Sequence, residues 1–273
     1  MDTPESTHHI CKSCSNSFVG LYCNQCGEKV IVARDRTFRS FLSDIIKALT
    51  FADNQFIRTL WLVFRKPGFI SAEMSEGRTV RYLKPLNLFF LLNLVYFLFP
   101  VIQIFSATLR TQLNSFHGRW VQQLVARKMI SEHIGLDSFT ILYNDKTVGF
   151  AKMLVIVFAV LASLPLTVLY SKKNRLFTDH VGLSVELVCF NLTNALLLTL
   201  LAKILPLGAY LTENTLTGFF VATNLYFLLR SGHFFYQEKA GWIVMKAMLM
   251  LGFLKIALEL FRLILFFVTL ASL

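Results

Sequence analysis

Residues 10–29 read ICKSCSNSFVGLYCNQCGEK and contain two CxxC pairs, Cys11 with Cys14 and Cys23 with Cys26. Each CxxC turn can direct two sulfur atoms at one ion, so this spacing is typical of the two knuckles of a zinc ribbon. So short a segment cannot bury a hydrophobic core, and we expect a metal to supply its folding free energy. Four sulfurs complete a tetrahedral shell. The sequence therefore predicts one structural Zn²⁺ without an open catalytic position.

A redox CxxC pair and an iron–sulfur cluster remain alternatives for these four cysteines. The fifth cysteine, Cys189, lies alone in an apolar segment, which argues against a disulfide framework. Residues 1–9 are polar, carry no signal-peptide pattern and are predicted to be a disordered leader, despite His8 and His9. We therefore expect the ribbon, residues 10–30, to lie in the reducing cytosol, with Gly27 closing its second knuckle at a positive φ.

The composition points to a membrane protein. Hydrophobic residues make up 55% of the 273-residue chain, 27 residues are Phe and only 16% are charged, which is outside the usual range of soluble domains. The formal charge of +11 suits an anionic cytoplasmic membrane face. Nucleic acid is a poorer partner for this charge, because the basic residues alternate with bulky apolar ones such as Phe38, Phe41 and Trp61 at helical spacing.

Residues 37–84 are predicted to form cytosolic amphipathic helices. The run from 37 to 50 has apolar residues at helical spacing, and a second helix should start at an Asp53 cap and stop at Arg65-Lys66-Pro67-Gly68. Neither helix is long enough to span a bilayer. We expect both to lie in the headgroup layer or against the membrane domain, flanked by the basic residues Arg58, Arg65, Lys66, Arg78, Arg81 and Lys84.

The rest of the chain, residues 86–273, is predicted to be a transmembrane helical domain. Its apolar runs place about five spans, near 86–109 with a kink at Pro100, then 150–170, 181–205, 214–230 and 242–270. Residues 110–148 are predicted to be an outer loop with a short amphipathic helix around Trp120 to Met129. The basic loop at 171–175 favours a cytosolic amino terminus. Four or six spans remain open.

The sequence thus predicts an all-α polytopic membrane protein with a small amino-terminal zinc ribbon. Three of its stretches, YCNQCGE, DNQFIRTLWLVFRKPG and EGRTVRYLKPLNLFFLLNLVYFL, resemble the family called domain of unknown function 3667, common in Bacteroidota. A weaker likeness continues in FTDHVGLSVEL with His180. The matching positions are Cys11, Cys14, Cys23, Cys26, Gly27, Asp53, Phe56, Arg58, Thr59, Leu60, Pro67, Gly68, Gly77, Arg78, Tyr82 and Pro85.

The resemblance implies a zinc ribbon joined to a multi-span domain in a bacterial inner membrane, without an assigned activity. The family commonly has Gln where this chain has Glu28. Because neither side chain would be a metal ligand, we expect this difference to matter little.

Polar residues inside predicted spans are candidate functional residues, since they are costly in a membrane. By helical geometry, one polar face of the third span and one charged face of the last span could form a polar path between helices. The alternative, which we favour, is structural: Glu259 pairs with a neighbouring cation, the asparagines hydrogen-bond between helices, and Glu186 faces protein. The candidates are His180, Ser184, Glu186, Asn191, Asn194, Lys255, Glu259 and Arg262.

Two classes of function follow. The first is a non-enzymatic adaptor, regulator or assembly subunit, whose ribbon and interfacial helices engage a protein partner or a second copy of the chain at the bilayer. The second is a transporter or lipid-handling protein that uses the polar faces of the third and last spans. A membrane enzyme ranks third, because the sequence contains no GxSxG, Walker, HExxH or dinucleotide motif.

Overall fold

The computed structural model describes residues 8–30, 53–99, 102–115, 117–171, 173, 175–205 and 212–273. The predicted helix at 37–50, the kink at Pro100 and the first seven residues of the predicted leader lie outside this part of the chain. His8 and His9, assigned above to the leader, instead lie in a β-strand, because the strand pairs with the segment that follows the first knuckle.

The ribbon contains a two-stranded antiparallel sheet. Strand β1 (His8–Ile10) pairs with β2 (Ser17–Val19), with His9 opposite Phe18. Phe18 is buried with Cys11 and Cys23 in a small cluster. A cluster of this size leaves the ribbon dependent on its metal site.

The described residues from 53 onward are mainly helical. The helices are α1 (Asp53–Arg65), α2 (Phe69–Ser75), α3 (Pro85–Leu98), α4 (Leu109–Leu113), α5 (Gly118–Glu132), α6 (Leu136–Leu169), α7 (Phe177–Ile204), α8 (Glu213–Phe234) and α9 (Ala240–Ser272). The predicted helix from Asp53 to the RKPG stop is confirmed as α1, and the short helix predicted around Trp120 is confirmed as α5.

Helix α6 lies at the centre of the bundle. It packs against α7 on one side and α9 on the other, while α3 packs on α7 and α8 packs on α9. Small and β-branched residues on α6, Val155, Ala159 and Ala162, are fully buried and let the neighbouring helices approach closely. Phe158 meets Phe261 of α9 with ring centroids 6.2 Å apart.

The first predicted span, 86–109, is wrong in length. Helix α3 has 14 residues, which is about 21 Å at 1.5 Å per residue. The helix ends because Phe99 is extended, as residues that precede a proline tend to be. Residues 102–108 contain no helix, and α4 begins at Leu109.

The predicted outer loop, 110–148, is more helical than expected, although its short helix around Trp120 is present. It contains α4, α5 and the first part of α6, which begins at Leu136 and runs for 34 residues. Residues 136–148 include several charged side chains, yet they form a helix with one buried face. That face contains Phe139, Tyr143 and Thr147. Tyr143 packs against Phe266 of α9 at 6.1 Å, so this face extends the bundle where the composition suggests a loop.

Two helices of the described chain, α6 and α7, are long and apolar enough to cross a membrane. The two helices differ in burial: 33% of the apolar stretch of α6 is buried inside the protein, compared with 61% of the apolar stretch of α7. A buried core helix of a soluble protein can satisfy the same criteria of length and composition. The five predicted spans are therefore not confirmed; the fold is a mostly helical bundle with a four-cysteine ribbon.

Candidate metal centre and its attachment to the bundle

The four predicted cysteine ligands converge on one point. Sγ of Cys11 lies 3.4 Å from Sγ of Cys26, and Sγ of Cys14 lies 3.5 Å from Sγ of Cys23. All four sulfurs lie within 4.8 Å of one another. Metal–sulfur bonds of about 2.3 Å in a tetrahedron put the sulfurs about 3.8 Å apart. The donor set and its spacing therefore fit a single metal ion.

The two knuckles share one backbone design. Ser15 N–H donates to the Cys11 carbonyl at 2.8 Å, and Gly27 N–H donates to the Cys23 carbonyl at 2.9 Å. Both residues that close the turns have a positive φ, 61° at Ser15 and 74° at Gly27. The positive φ of Gly27 was predicted from the sequence. That of Ser15 was not, because serine seldom adopts a left-handed conformation.

The two thiols of the second knuckle differ: burial and the neighbouring thiols raise the pKa of Cys26 to about 12, whereas the pKa of Cys23 is lowered. Burial alone would raise the pKa of the Cys23 thiol, but the backbone N–H groups of Cys26 and Gln25 bring that pKa down to about 6. A thiol that ionises below neutral pH is ready to bind a cation. The four cysteines can thus hold a metal ion, and their closed arrangement suits a structural site.

Glu28 attaches the ribbon to the helical domain. Its Oε1 accepts from the Thr79 N–H at 3.0 Å and the Thr79 hydroxyl at 2.8 Å, and its Oε2 accepts from the Ser13 hydroxyl at 2.5 Å and the Val80 N–H at 3.4 Å. Burial opposes ionisation, yet these donors hold the pKa of Glu28 below its ordinary value. The residue judged unimportant from sequence therefore joins the two parts of the molecule. We call this set of contacts the Glu28 clasp.

The loop that receives the clasp is itself held by ion pairs. Arg78 pairs with both Glu73 and Glu76 of the preceding segment, and the Glu73 hydrogen bond raises the pKa of the guanidinium. Gln55 of α1 donates to the Val80 carbonyl at 2.8 Å. The Glu28 clasp thus grips a loop that is fixed to α1 and α2.

The segment under the clasp also matches a known family model. Residues 53–97, which cover α1, α2, the receiving loop and most of α3, match the family model described as protein of unknown function DUF3667. The resemblance to the DUF3667 family expected from the sequence is confirmed over these residues. No curated protein and no solved structure gives a significant match to the chain.

Glu186 on α7 holds the sharpest turn of the DUF3667 segment. The side chain is fully buried; its Oε1 accepts from the Gly68 N–H at 2.8 Å, and its Oε2 accepts from the Ser71 N–H at 2.9 Å and the Ser71 hydroxyl at 2.5 Å. These are the unpaired donors at the start of α2. Glu186 therefore has a structural task, the capping of α2 after the Pro67-Gly68 turn.

His180 belongs to an aromatic cluster where α7 and α9 begin. Its Nδ1 lies 2.7 Å from the hydroxyl of Tyr236, and the ring of Tyr236 stacks on that of Tyr170 at 3.5 Å and 4°. Nζ of Lys246 lies 4.3 Å from the centroid of Tyr170 and donates to Glu238 at 2.6 Å. Sequence reasoning missed both tyrosines, since they lie at helix ends far apart in the chain.

The remaining polar candidates lie in two separate places. Asn191 exchanges side-chain hydrogen bonds with Asn224 of α8 at 2.9 and 3.1 Å, and Nδ2 of Asn194 is buried without a partner in the described part of the chain. On α9, Glu259 accepts from Lys255 at 2.7 Å and lies 3.5 Å from Arg262.

Helix α6 separates the two polar faces. Helix α7 packs mainly against α3 and α6, whereas α9 packs against α6 and α8. The polar residues of α7 and the charged residues of α9 are therefore not brought together into one site.

Proposed function

We propose that this chain is a multi-pass protein of a bacterial inner membrane, with a cytosolic zinc ribbon that serves as a docking head for a protein partner. The membrane domain consists of α3, α6, α7, α8 and α9. The observation that carries the proposal is the apolar outer surface of the bundle. Large hydrophobic side chains are exposed along one face of α9, at Met245, Met248, Leu249, Phe253, Ile256 and Leu260, and along α6, at Met153, Val160, Leu164 and Val168.

A water-soluble monomer seldom exposes such a continuous apolar surface. In a bilayer, by contrast, side chains of this kind face lipid at no cost. The exposed face of α9 repeats at helical spacing over more than four turns, which suits a helix at the perimeter of a membrane bundle.

The charges support an orientation with the ribbon in the cytosol. Helices α6 and α8 end and α7 and α9 begin at the end of the bundle that carries the DUF3667 segment. This end has many cations, among them Arg65, Lys66, Lys173, Arg175, Arg230 and Lys239. The connection between α7 and α8, at the opposite end, has no Lys or Arg in residues 205–212.

A non-enzymatic role fits the metal centre. Four thiolates leave a zinc ion no position for water or substrate, so the ion would stabilise the ribbon without catalysing a reaction. The Glu28 clasp would hold that ribbon in a fixed place beside the bundle. Its outward strand residues, Ile10 and Val19, are exposed apolar side chains and offer a partner a contact surface.

Metal analysis and crosslinking in native membranes test this proposal together. We expect the purified full chain to contain about one zinc per chain, and the Cys23→Ser variant to lose it. A protein crosslinked to the wild-type chain should disappear with Cys23→Ser and persist with Cys189→Ser, a matched control outside the ribbon. Iron in place of zinc, or the same crosslinks in all three chains, would contradict the proposal.

The transporter alternative receives less support from the geometry. Glu259 is ion-paired on its own helix, Glu186 has its acceptors filled, and α6 lies between the two polar faces. We therefore retain it as the second candidate, to be favoured if the chain reconstituted in liposomes moves a polar solute and Glu259→Gln stops that movement.

A further inference from the structure

Helix α1 packs against α7 and α8. At its midpoint, the Thr59 hydroxyl accepts from the Leu83 N–H at 2.9 Å. Leu83 lies two residues before α3 begins, and Cys189 of α7 donates to the carbonyl of Pro85 at 3.6 Å. Near its end, Phe64 packs on Phe190 with centroids 4.9 Å apart. The middle and the end of α1 therefore meet the bundle near residues 189 and 190 of α7.

The end of α1 is anchored to α8 at the same level. The hydroxyl of Tyr226 donates to the Phe64 carbonyl at 2.8 Å, and Arg230 donates to the Arg65 carbonyl at 3.3 Å. These bonds satisfy carbonyls that the last turn of a helix leaves unpaired. Helix α1 is thus held at its midpoint by Leu83 and at its end by α8.

The helix has two different faces. Thr59 and Val63 are fully buried against the bundle, whereas Ile57 and Trp61, one turn apart on the opposite side, are 67% and 61% exposed. A tryptophan and an isoleucine facing outward are not needed for packing inside the chain. They form an apolar outward face, although the opposite face of α1 already packs on the bundle.

Cations surround this outward face. Arg58 and Arg65 are exposed on α1 itself, and residues 55–65 contain no Asp or Glu. Lys66 follows directly, and Arg230 lies over the ring of Phe234 at 4.8 Å. Arginines beside an exposed tryptophan match the chemistry of a bilayer surface, where anionic headgroups meet acyl chains.

We propose that the outward face of α1, formed by Ile57 and Trp61 with Arg58 and Arg65, is seated in the headgroup layer of an anionic bilayer. This inference rests on the proposed membrane location. It adds that α1 contacts anionic lipid and lies at the depth of the headgroups. The apolar helix α3 begins beside α1. Helix α1 then works as an in-plane anchor that fixes how far the bundle sits from the cytosol.

Trp61 is a natural probe of this contact, since the chain has only three tryptophans. We would reconstitute the full chain with Trp120→Phe and Trp242→Phe into nanodiscs whose lipids carry bromine high on the acyl chain. These lipids should quench Trp61 emission more strongly than lipids brominated at the end of the acyl chain. Brominated phosphatidylglycerol should quench more than brominated phosphatidylcholine, and Arg58→Gln with Arg65→Gln should remove that preference.

Each other outcome has its own meaning. If the chain enters nanodiscs but Trp61 is quenched only by aqueous iodide, α1 faces water and the inference is overturned. If neither bromine nor iodide quenches Trp61, another protein surface, such as a second copy, covers α1, which also overturns it. If the chain does not enter nanodiscs at all and remains soluble without detergent, the proposed membrane function itself fails. A variant with all three tryptophans replaced by Phe gives the background emission.

Discussion

Single carboxylates hold the parts of this protein together, and Glu28 is the clearest example. Replacing Glu28 with alanine removes the acceptor of the Thr79 and Val80 N–H groups. Hydrogen bonds to a charged group contribute about 1–3 kcal/mol each, so we expect the ribbon to detach from residues 77–80. The measurement is amide hydrogen exchange of Thr79 and Val80, which should become faster.

The Glu28→Gln variant is the matched control. It introduces the residue expected at this position from the resemblance to the DUF3667 family. Its amide oxygen can still accept from Thr79, so its exchange should lie between those of the wild type and Glu28→Ala. Zinc content should be the same in all three chains, because Glu28 is not a ligand. Loss of metal from Glu28→Ala, or unchanged exchange at Thr79, would contradict the clasp.

Glu186 performs a comparable task inside the bundle. Its replacement by alanine would leave the Gly68 and Ser71 N–H groups buried without an acceptor, at a cost of about 3 kcal/mol or more. We expect Glu186→Ala to lower the midpoint of thermal unfolding in detergent strongly.

Ser184→Ala, two residues away, should have little effect on that midpoint. The Ser184 hydroxyl is buried without a partner in the described part of the chain, so its removal breaks no hydrogen bond. Equal midpoints for the Glu186 and Ser184 variants would show that the carboxylate does not cap α2.

At the scale of elements, the Pro67-Gly68 turn decides how α1 and α2 fit the bundle. Gly68 has φ of 82°, and an added Cβ would lie 2.8 Å from Cβ of Ser231 on α8. Gly68→Ala therefore combines a left-handed strain of about 1–3 kcal/mol with a steric clash. We expect a large loss of thermal stability, measured by unfolding in detergent.

Gly182→Ala is the matched helical control for this turn. Nothing lies within 4 Å of a Cβ at Gly182, and alanine is the better helix former by about 1 kcal/mol. The variant should be as stable as the wild type or slightly more so. A stable Gly68→Ala chain would mean that α2 can move away from α8.

The sequence predicts elements whose signal is local and fails where the signal depends on partners. Helix α1 could be predicted because its apolar spacing and its RKPG stop lie within one stretch, and the metal ligands because four cysteines carry the whole pattern. The start of α6 could not, because Phe139 and Tyr143 are recognisable as a buried face only once α9 is known to cover them. The role of Glu28 depends on Thr79, 51 residues away.

For the whole molecule, the bundle has two chemically different ends. Tyr170 at the end of α6 stacks on Tyr236 after α8, so these helices finish at the same end, beside the DUF3667 segment and the ribbon. The 34 residues of α6 extend for about 51 Å. Helix α5, which directly precedes α6, therefore lies at the other end of the bundle. If α6 crosses a bilayer, His233 at the end of α8 and Ser131 on α5 must lie on opposite sides.

Cysteine labelling tests that topology. Both positions are exposed, and a membrane-impermeant maleimide should label Ser131→Cys but not His233→Cys in intact spheroplasts, since the cationic end is expected inside. After lysis, both variants should be labelled. The wild-type chain is the control for the native cysteines, of which Cys189 is fully buried. Labelling of His233→Cys alone would reverse the orientation and put the ribbon outside. Protection of both sites until lysis would mean that α6 does not cross the membrane, and the exposed apolar face of α9 would then require a protein partner.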